Sequence, residues 1–508
     1  MHTRRSAIAV ILALAALLVA TLVFTGGGGV AATGNRPASS ETEGAEPDAG
    51  VEPDAGEEAR GGQAEAEEEA LEAQERAEAW REAKAAGTLR VQQAAAAAAP
   101  AVGWTGEQVI SPTANDWEPA IAADPNAPYV YMLVTRYTGP TACGNKCPLP
   151  YMMLKVSSDG GATWGPDRYI CTCSGIGGQF DPIIEVVPNT GAVYAAFMNG
   201  FNVMFSKSTD HGATWSTPVK TYGKVSWNDK PILAVSDNGN DVYISWNGPQ
   251  QGDPYVAQSH NAGATWTQTK VVDGPRYFFA FDGDVLPNGT VVFSEASLDY
   301  GGPGGSLEGQ SQIHVLRSTN NGSSWTANIV DTVELGPDCV ATGCSADYYV
   351  GHSAITADAS GQLTLLYEGA STPKGNETVY ARRSTDGGAT WSSRVAISAA
   401  GEEATFPAEE ARGAGDVRAW YMQTSGGGNQ DAWNVWYRSS IDGGLTWSSP
   451  VKISDVTSGA SYKTANGFLE PYGDYGETAI TSAGKTVATW GEGNSYTGPG
   501  GVWVNRQT

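Results

Sequence analysis

The octet Ser157-Ser-Asp-Gly-Gly-Ala-Thr-Trp164 decides the fold, because the chain repeats it. Full copies of Ser-x-Asp-x-Gly-x-Thr-Trp occupy residues 208–215, 384–391 and 440–447. Two further copies are altered: 259–266 carries Asn261 for Asp, and 318–325 carries Asn320 for Asp and Ser324 for Thr. Successive copies start 51, 51, 59, 66 and 56 residues apart. A period of this length is the size of a four-stranded unit with loops of varying length. Within the octet, a short Asp side chain bonds nearby backbone N–H groups and holds a turn. The fifth-position Gly permits positive φ. These Asp and Asn residues read as a folding device, not as catalysts.

Strand-like runs flank every copy. Tyr129-Val-Tyr-Met-Leu-Val-Thr135 and Tyr151-Met-Met-Leu-Lys-Val156 precede the first, and Ala192-Val-Tyr-Ala-Ala-Phe197 and Val203-Met-Phe-Ser206 precede the second. Each unit therefore reads as strands A, B and C, the octet turn, then strand D. Short β-rich runs between Gly, Pro, Asn and Asp predict an all-β propeller of four-stranded antiparallel blades. Seven strand-A openings occur, at Glu118, Asp181, Asp229, Tyr277, Asp347, Phe406 and Asp474. The last unit ends without an octet or strand D. Residues 104–111 resemble a post-octet strand, so an N-terminal strand is expected to close the last blade. Seven blades are expected; six blades with an irregular tail is the alternative.

Residues 1–32 read as a signal peptide or membrane anchor: Arg4 and Arg5 precede an apolar run over 7–24, and Val30-Ala-Ala32 is a passable cleavage site. Residues 33–100 carry 16 acidic and 6 basic side chains, a net of −10, in Ala/Glu-rich low-complexity sequence. Such a segment cannot bury a core. It reads as a spacer, with one exposed helix over 63–86. The propeller takes 101–508. The expected location is extracytoplasmic, secreted or anchored at the cell surface, with membrane contact only through the N-terminal segment. A net charge of −25 argues against nucleic acid as a partner. A monomer is expected.

Six cysteines in an exported chain predict disulfides. Cys143, Cys147, Cys171, Cys173, Cys339 and Cys344 all fall in loops of one face. Cys339–Cys344 is expected, together with at least one bridge from the 143/147 loop to Cys171 or Cys173. No cofactor or metal is expected; Asp237-Asn-Gly-Asn-Asp241 resembles a fragment of a calcium loop, which a plain turn explains better.

The face that carries the cysteines is also where strand A of each blade begins. Glu118, Asp181 and Asp474 fall at equivalent positions, with Lys230 in that place in the third unit and Asp229 beside it. Asp347, Glu477, Asp282 and Asp284 lie close to the same level. Crowded carboxylates push pKa values apart, which separates acid from base roles. The catalytic candidates are Asp181, Asp229, Asp347 and Asp474, with Tyr348 or Tyr475 assisting. Glu118, Trp117, Lys230, Arg276, Tyr349 and Glu477 are the candidates for holding substrate. The competing reading is that acids at strand starts bond backbone amides of the next blade.

The octets resemble the Asp boxes, or BNR repeats, of the sialidase superfamily of propellers, over about residues 104–508. The resemblance implies Asp boxes on the periphery, an active face opposite, and exo-acting glycoside hydrolysis by an arginine triad, a Tyr–Glu nucleophile and an Asp acid/base. The family's first-blade Arg sits in a Phe/Tyr-Arg-Ile-Pro motif, whereas residues 110–121 contain no Arg here. Sialidases also have six blades. The sequence therefore predicts an exported, sialidase-like glycoside hydrolase acting on a glycan or glycoconjugate. A non-catalytic, lectin-like or protein-binding propeller is the alternative.

Overall fold

Runs such as Val130–Thr138 and Leu363–Ala370 are mostly apolar without alternation, and both are buried along nearly their whole length. A strand reads this way when both of its faces are covered. That coverage comes from neighbouring sheets stacked face to face. In a computed structural model, the chain is described at Glu82, Ala85, Ala86 and over 100–508. Within that span residues 140, 142, 145–146, 171–177, 250–251, 301–306, 337–350, 426–432, 455–475 and 494–499 are excepted. The signal or anchor segment and most of the spacer lie outside the described residues. Of the expected helix, Ala86 N donates to Glu82 O at 2.8 Å, the i→i+4 bond of an α-turn.

The elements within 100–508 are β-strands in antiparallel sheets, the architecture of a β-propeller. Five sheets have four strands. A sixth has eight, made of two four-stranded meanders joined through the single pair Glu334↔Ala370. Each meander follows the predicted order, with the octet between its third and fourth strands or, in the last sheet, no octet. Several outer strands are short, as in Arg168–Tyr169, Val219–Lys220 and Val451–Lys452, which limits the exposed edge there. Gln108–Val109 pairs with Gly500–Arg506, Gln108 opposite Val504, so the N-terminal strand completes the last sheet as expected. Ile121, Val130 and Met132 of the first sheet share one core cluster with Ala479, Val487 and Val504 of the last.

The octets fold as one recurring turn. Ser157 Oγ donates to Asp159 Oδ1 (2.8 Å) and accepts Gly161 N (2.9 Å), while Asp159 accepts Thr163 N (2.8 Å) and Thr163 Oγ1 (2.6 Å). In the altered copy, Asn261 Oδ1 accepts Thr265 N (2.9 Å) and Nδ2 donates to Thr265 Oγ1 (2.8 Å). The hydroxyl of Thr265 reverses its role, which is why Asn serves in place of Asp. The fifth-position glycine has φ +77 at Gly263, where a Cβ would stand 2.1 Å from the Phe205 ring.

One expectation changes. Cys143 pairs with Cys147, their Cα atoms 5.3 Å apart, so neither is left to bridge to Cys171 or Cys173. A separation of four residues in a folded-back loop brings the two within reach of each other first. Cys171, Cys173, Cys339 and Cys344 lie outside the described residues. Among the described residues the inner strand of the fifth unit runs from Ser353 and that of the last from Glu477; the openings read at Asp347 and Asp474 lie outside them.

Candidate functional site

The inner strands surround a central cavity of about 540 Å³. Its wall includes Asp181 and Glu185 from one strand, Lys230 from the next, Asp282 and Asp284, His352, Phe406, Glu409, Glu410 and Arg412, and Glu477. The cavity reaches from strand starts, at Asp181 and Lys230, to the turns beyond strand ends, at Pro188 and Asp237.

The mouth is built by a repeated backbone device. Glu118, Asp181, Lys230 and Phe406 have φ of 55°, 46°, 47° and 51°, in the left-handed region. Each precedes a proline: Pro119, Pro182, Pro231 and Pro407. Each also sits inside a register shift, between Trp117/Ala120, Phe180/Ile183, Asp229/Ile232 and Thr405/Ala408. A bulge re-aims the side chain at its apex, and a non-glycine residue at positive φ stores strain that the surrounding structure must hold. The predicted equivalence of Glu118, Asp181 and Lys230 is therefore real in the backbone. Phe406 occupies the same position in a fourth unit.

Four inner-strand carboxylates bond the next unit. Glu118 accepts the N–H of Asp181 (3.0 Å) and the hydroxyl of Thr135. Asp282 accepts Ile355 N (2.9 Å), Asp284 accepts Ala357 N (2.8 Å), and Glu477 accepts Ile121 N (2.6 Å). Inner strands have one edge without a strand partner, and a buried amide there needs an acceptor. For these four residues the amide-bonding reading describes what the side chains do.

The cavity shifts the carboxyl groups strongly. Burial, and then the charges of Glu477, Asp284 and Asp282, pushes Glu185 well above the usual carboxylate range. Glu410 is raised in the same way, by burial first and then by Glu185, Asp284 and Asp282. Burial lifts Asp282 to about 8 and Asp284 to about 6. Glu409 and Glu477 are also raised, burial again being the largest cause. The two cations of the wall, Lys230 and Arg412, do not balance these acids; the guanidinium of Arg412 is held at the carbonyls of Thr481 and Pro125.

Among the other predicted residues, Asp229 begins its strand but does not line the cavity. Trp117 is buried, donating its indole N–H to Asn115 (2.7 Å) and packing edge-on against Tyr137, so its faces are not open to a sugar. Arg276 lies away from the cavity wall, bonded to Ser297, Asp299 and the carbonyl of Gln310. Asp347, Tyr348, Tyr349, Asp474 and Tyr475 lie outside the described residues.

No protein-family model matches the chain, and no curated protein matches it. Solved structures do. A protein of unknown function from Dyadobacter fermentans DSM 18053 is 13% identical, over 80% of this chain and 98% of that one, with a TM-score of 0.46. An ulvan lyase is 12% identical over 78% of this chain and 95% of that one, TM-score 0.47. The intramolecular trans-sialidase of Ruminococcus gnavus is 13% identical over 81% and 98%, TM-score 0.42. Likeness at this level assigns no activity.

Sequence reasoning missed Glu185, Glu409, Glu410 and the pair His352–Glu368. The first three were signalled by carboxylates placed inside apolar inner strands, as in Asp181-Pro-Ile-Ile-Glu185. His352 is one of only five histidines and stands immediately before an inner strand. Its Nδ1 lies 2.7 Å from Glu368 Oε1, with both side chains buried. No signal in the sequence pairs these two, since Glu368 comes from the adjoining strand.

Proposed function

We propose that this protein is an exported, glycan-active, seven-bladed propeller that acts as a glycoside hydrolase in its central channel. The four-stranded units, taken with the N-terminal strand in the last sheet and the shared core of first and last sheets, support seven blades in a closed ring. The observation that carries the function is the cavity itself. Asp181 stands on a strained bulge at its mouth, and Glu185 and Glu410 line it with raised carboxyl groups. A carboxyl whose pKa is raised can donate a proton to a glycosidic oxygen, while a second carboxylate acts as base or nucleophile. In this reading Glu185 or Glu410 is the acid and Asp181 its partner. The excess of acids over cations on the wall favours a neutral or amino sugar over an anionic one. The apolar N-terminal segment supports export.

A second reading, a non-catalytic glycan-binding propeller, is favoured by one observation. The carboxylates of Glu118, Asp282, Asp284 and Glu477 are engaged by backbone amides. Crystals of the full chain soaked with neutral, amino and sialic acid methyl glycosides test the ligand. A neutral or amino sugar seated beside Asp181 and Glu410 supports the proposal; a sugar bound only on the outer surface refutes the channel as the site.

A further inference from the structure

The register shifts of the inner strands divide the mouth of the cavity by chemistry. A fifth shift, between Ala280 and Asp282, joins the four described above and leaves Phe281 as the extra residue of the fourth unit. A bulge re-aims the side chain it carries. Along the chain the bulge residues are Glu118, Asp181 and Lys230 in the first three units, then Phe281 in the fourth and Phe406 in the sixth. His352 stands between the two phenylalanines, its ring 4.8 Å from that of Phe281 and 4.6 Å from that of Phe406. The mouth is therefore charged through three units and aromatic through the next three.

One ring of the aromatic part is open to a ligand. His352 and Phe406 are 3% and 5% exposed, so they form backing and not surface. Phe281 lines the cavity and is only partly buried. Its orientation is set from behind, by the core cluster of Leu298 and Leu335 and by the His352 ring. Apolar surface left towards water is unfavourable, and a ligand that covers it gains. The rest of the wall, with Asp181, Glu185 and Glu410, offers carboxyl groups.

A pyranose held between a phenyl ring and carboxyl groups needs one face of C–H bonds and one of hydroxyls. The galacto configuration has both. Its axial O4 stands on one face and leaves H3, H4 and H5 contiguous on the other. The equatorial O4 of the gluco configuration breaks that patch by moving H4 to the opposite face. Polarised C–H bonds meet the electron-rich face of an aromatic ring favourably. We infer that Phe281 is the platform for the C–H face of a galacto-configured pyranose, whose hydroxyl face turns to the channel acids. This assignment rests on the glycan reading above and narrows it to a sugar class.

The test is magnetisation transfer on the full chain, prepared with protons on its phenylalanine rings in an otherwise deuterated protein. The probes are methyl β-D-galactopyranoside and methyl β-D-glucopyranoside. In a second sample, binding is followed independently through the methyl signals of Ile183 and Ile355. Saturating the phenylalanine rings should reach H3, H4 and H5 of the galactoside more strongly than H2. The galactoside should bind at least about threefold tighter than the glucoside, and Phe281→Leu should weaken it about fivefold, the scale of one aromatic contact. Phe281→Tyr keeps the ring face and should bind as the native chain does, which separates the loss of the ring from damage to the fold. A galactoside that moves the methyl signals yet receives no ring transfer, or binds Phe281→Leu unchanged, or binds no better than the glucoside, overturns the inference and spares the glycan reading. Failure of both sugars to move the methyl signals overturns both.

Discussion

The carboxylate of Glu477 accepts the backbone N–H of Ile121 at 2.6 Å, tying the inner strand of the last sheet to that of the first. The two residues are 356 positions apart in sequence. Equivalent bonds run from Asp282 to Ile355 and from Glu118 to Asp181, so one device recurs around the cavity. Replacing Glu477 by Leu leaves the amide of Ile121 without its acceptor and should cost about 1–3 kcal/mol of stability. Denaturant unfolding of the variant checks this; an unchanged midpoint would show that the bond is not structural.

The octet turns should be sensitive to acid. Bonds from Thr214 and Ser208 hold the Asp210 carboxyl at about 2, and those from Thr390 and Ser384 hold Asp386 there too. A folded value below the unfolded one gives stability that is present above about pH 4 and lost as pH falls through about 2. Thermal midpoints should therefore drop between pH 4 and pH 2, and Asp210→Asn should flatten part of that drop. Because Asn261 makes the same turn, Asp210→Asn should leave the midpoint at pH 7 nearly unchanged.

The channel carboxyls should act with the opposite sign. Asp282, Asp284, Glu185 and Glu410 are raised in the folded state, so between about pH 4 and pH 8 the native protein holds more protons than the unfolded chain. Stability from these groups falls as pH rises through that window. A melting series from pH 5 to pH 8 should slope downward. Glu185→Gln with Glu410→Gln should make the slope shallower, and an unaltered slope would place the titration elsewhere.

Gly263→Ala should destabilise by about 2 kcal/mol or more, since it combines positive φ with a Cβ driven into a packed ring. The relevant values are φ +77 and 2.1 Å to Phe205. Gly484→Ala, at φ +70 with open space around it, isolates the backbone part and should cost less. Equal losses would show that the contact with Phe205 relaxes freely.

The fold was legible because the octet is local. Its Ser, Asp, Gly and Thr bond one another within a few residues, and its spacing counts the units. The closing strand was legible too, since 104–111 repeats the pattern of a post-octet strand. The site was less so. Glu118, Asp181 and Lys230 could be aligned from the proline that follows each, and the structure gives them the same bulge. What the alignment could not show is which partner each side chain takes. Glu118 turns to the amide of Asp181 and Trp117 turns into the core, and both contacts depend on the packing of one sheet on the next. Glu185 and Glu410 become a pair only when distant strands face each other across the channel. The disulfide at Cys143 and Cys147 was misread because loop positions on one face do not fix which sulfurs meet.

The proposed reaction is glycoside hydrolysis at the channel mouth. Its most direct test is turnover of a panel of fluorogenic neutral, amino and sialic acid glycosides by the full chain, beside Asp181→Asn and Glu410→Gln. Hydrolysis of at least one neutral or amino glycoside is expected, reduced at least about a hundredfold in each variant, the scale of a lost acid or base. Absence of turnover on every substrate, or turnover that both variants retain, would contradict it.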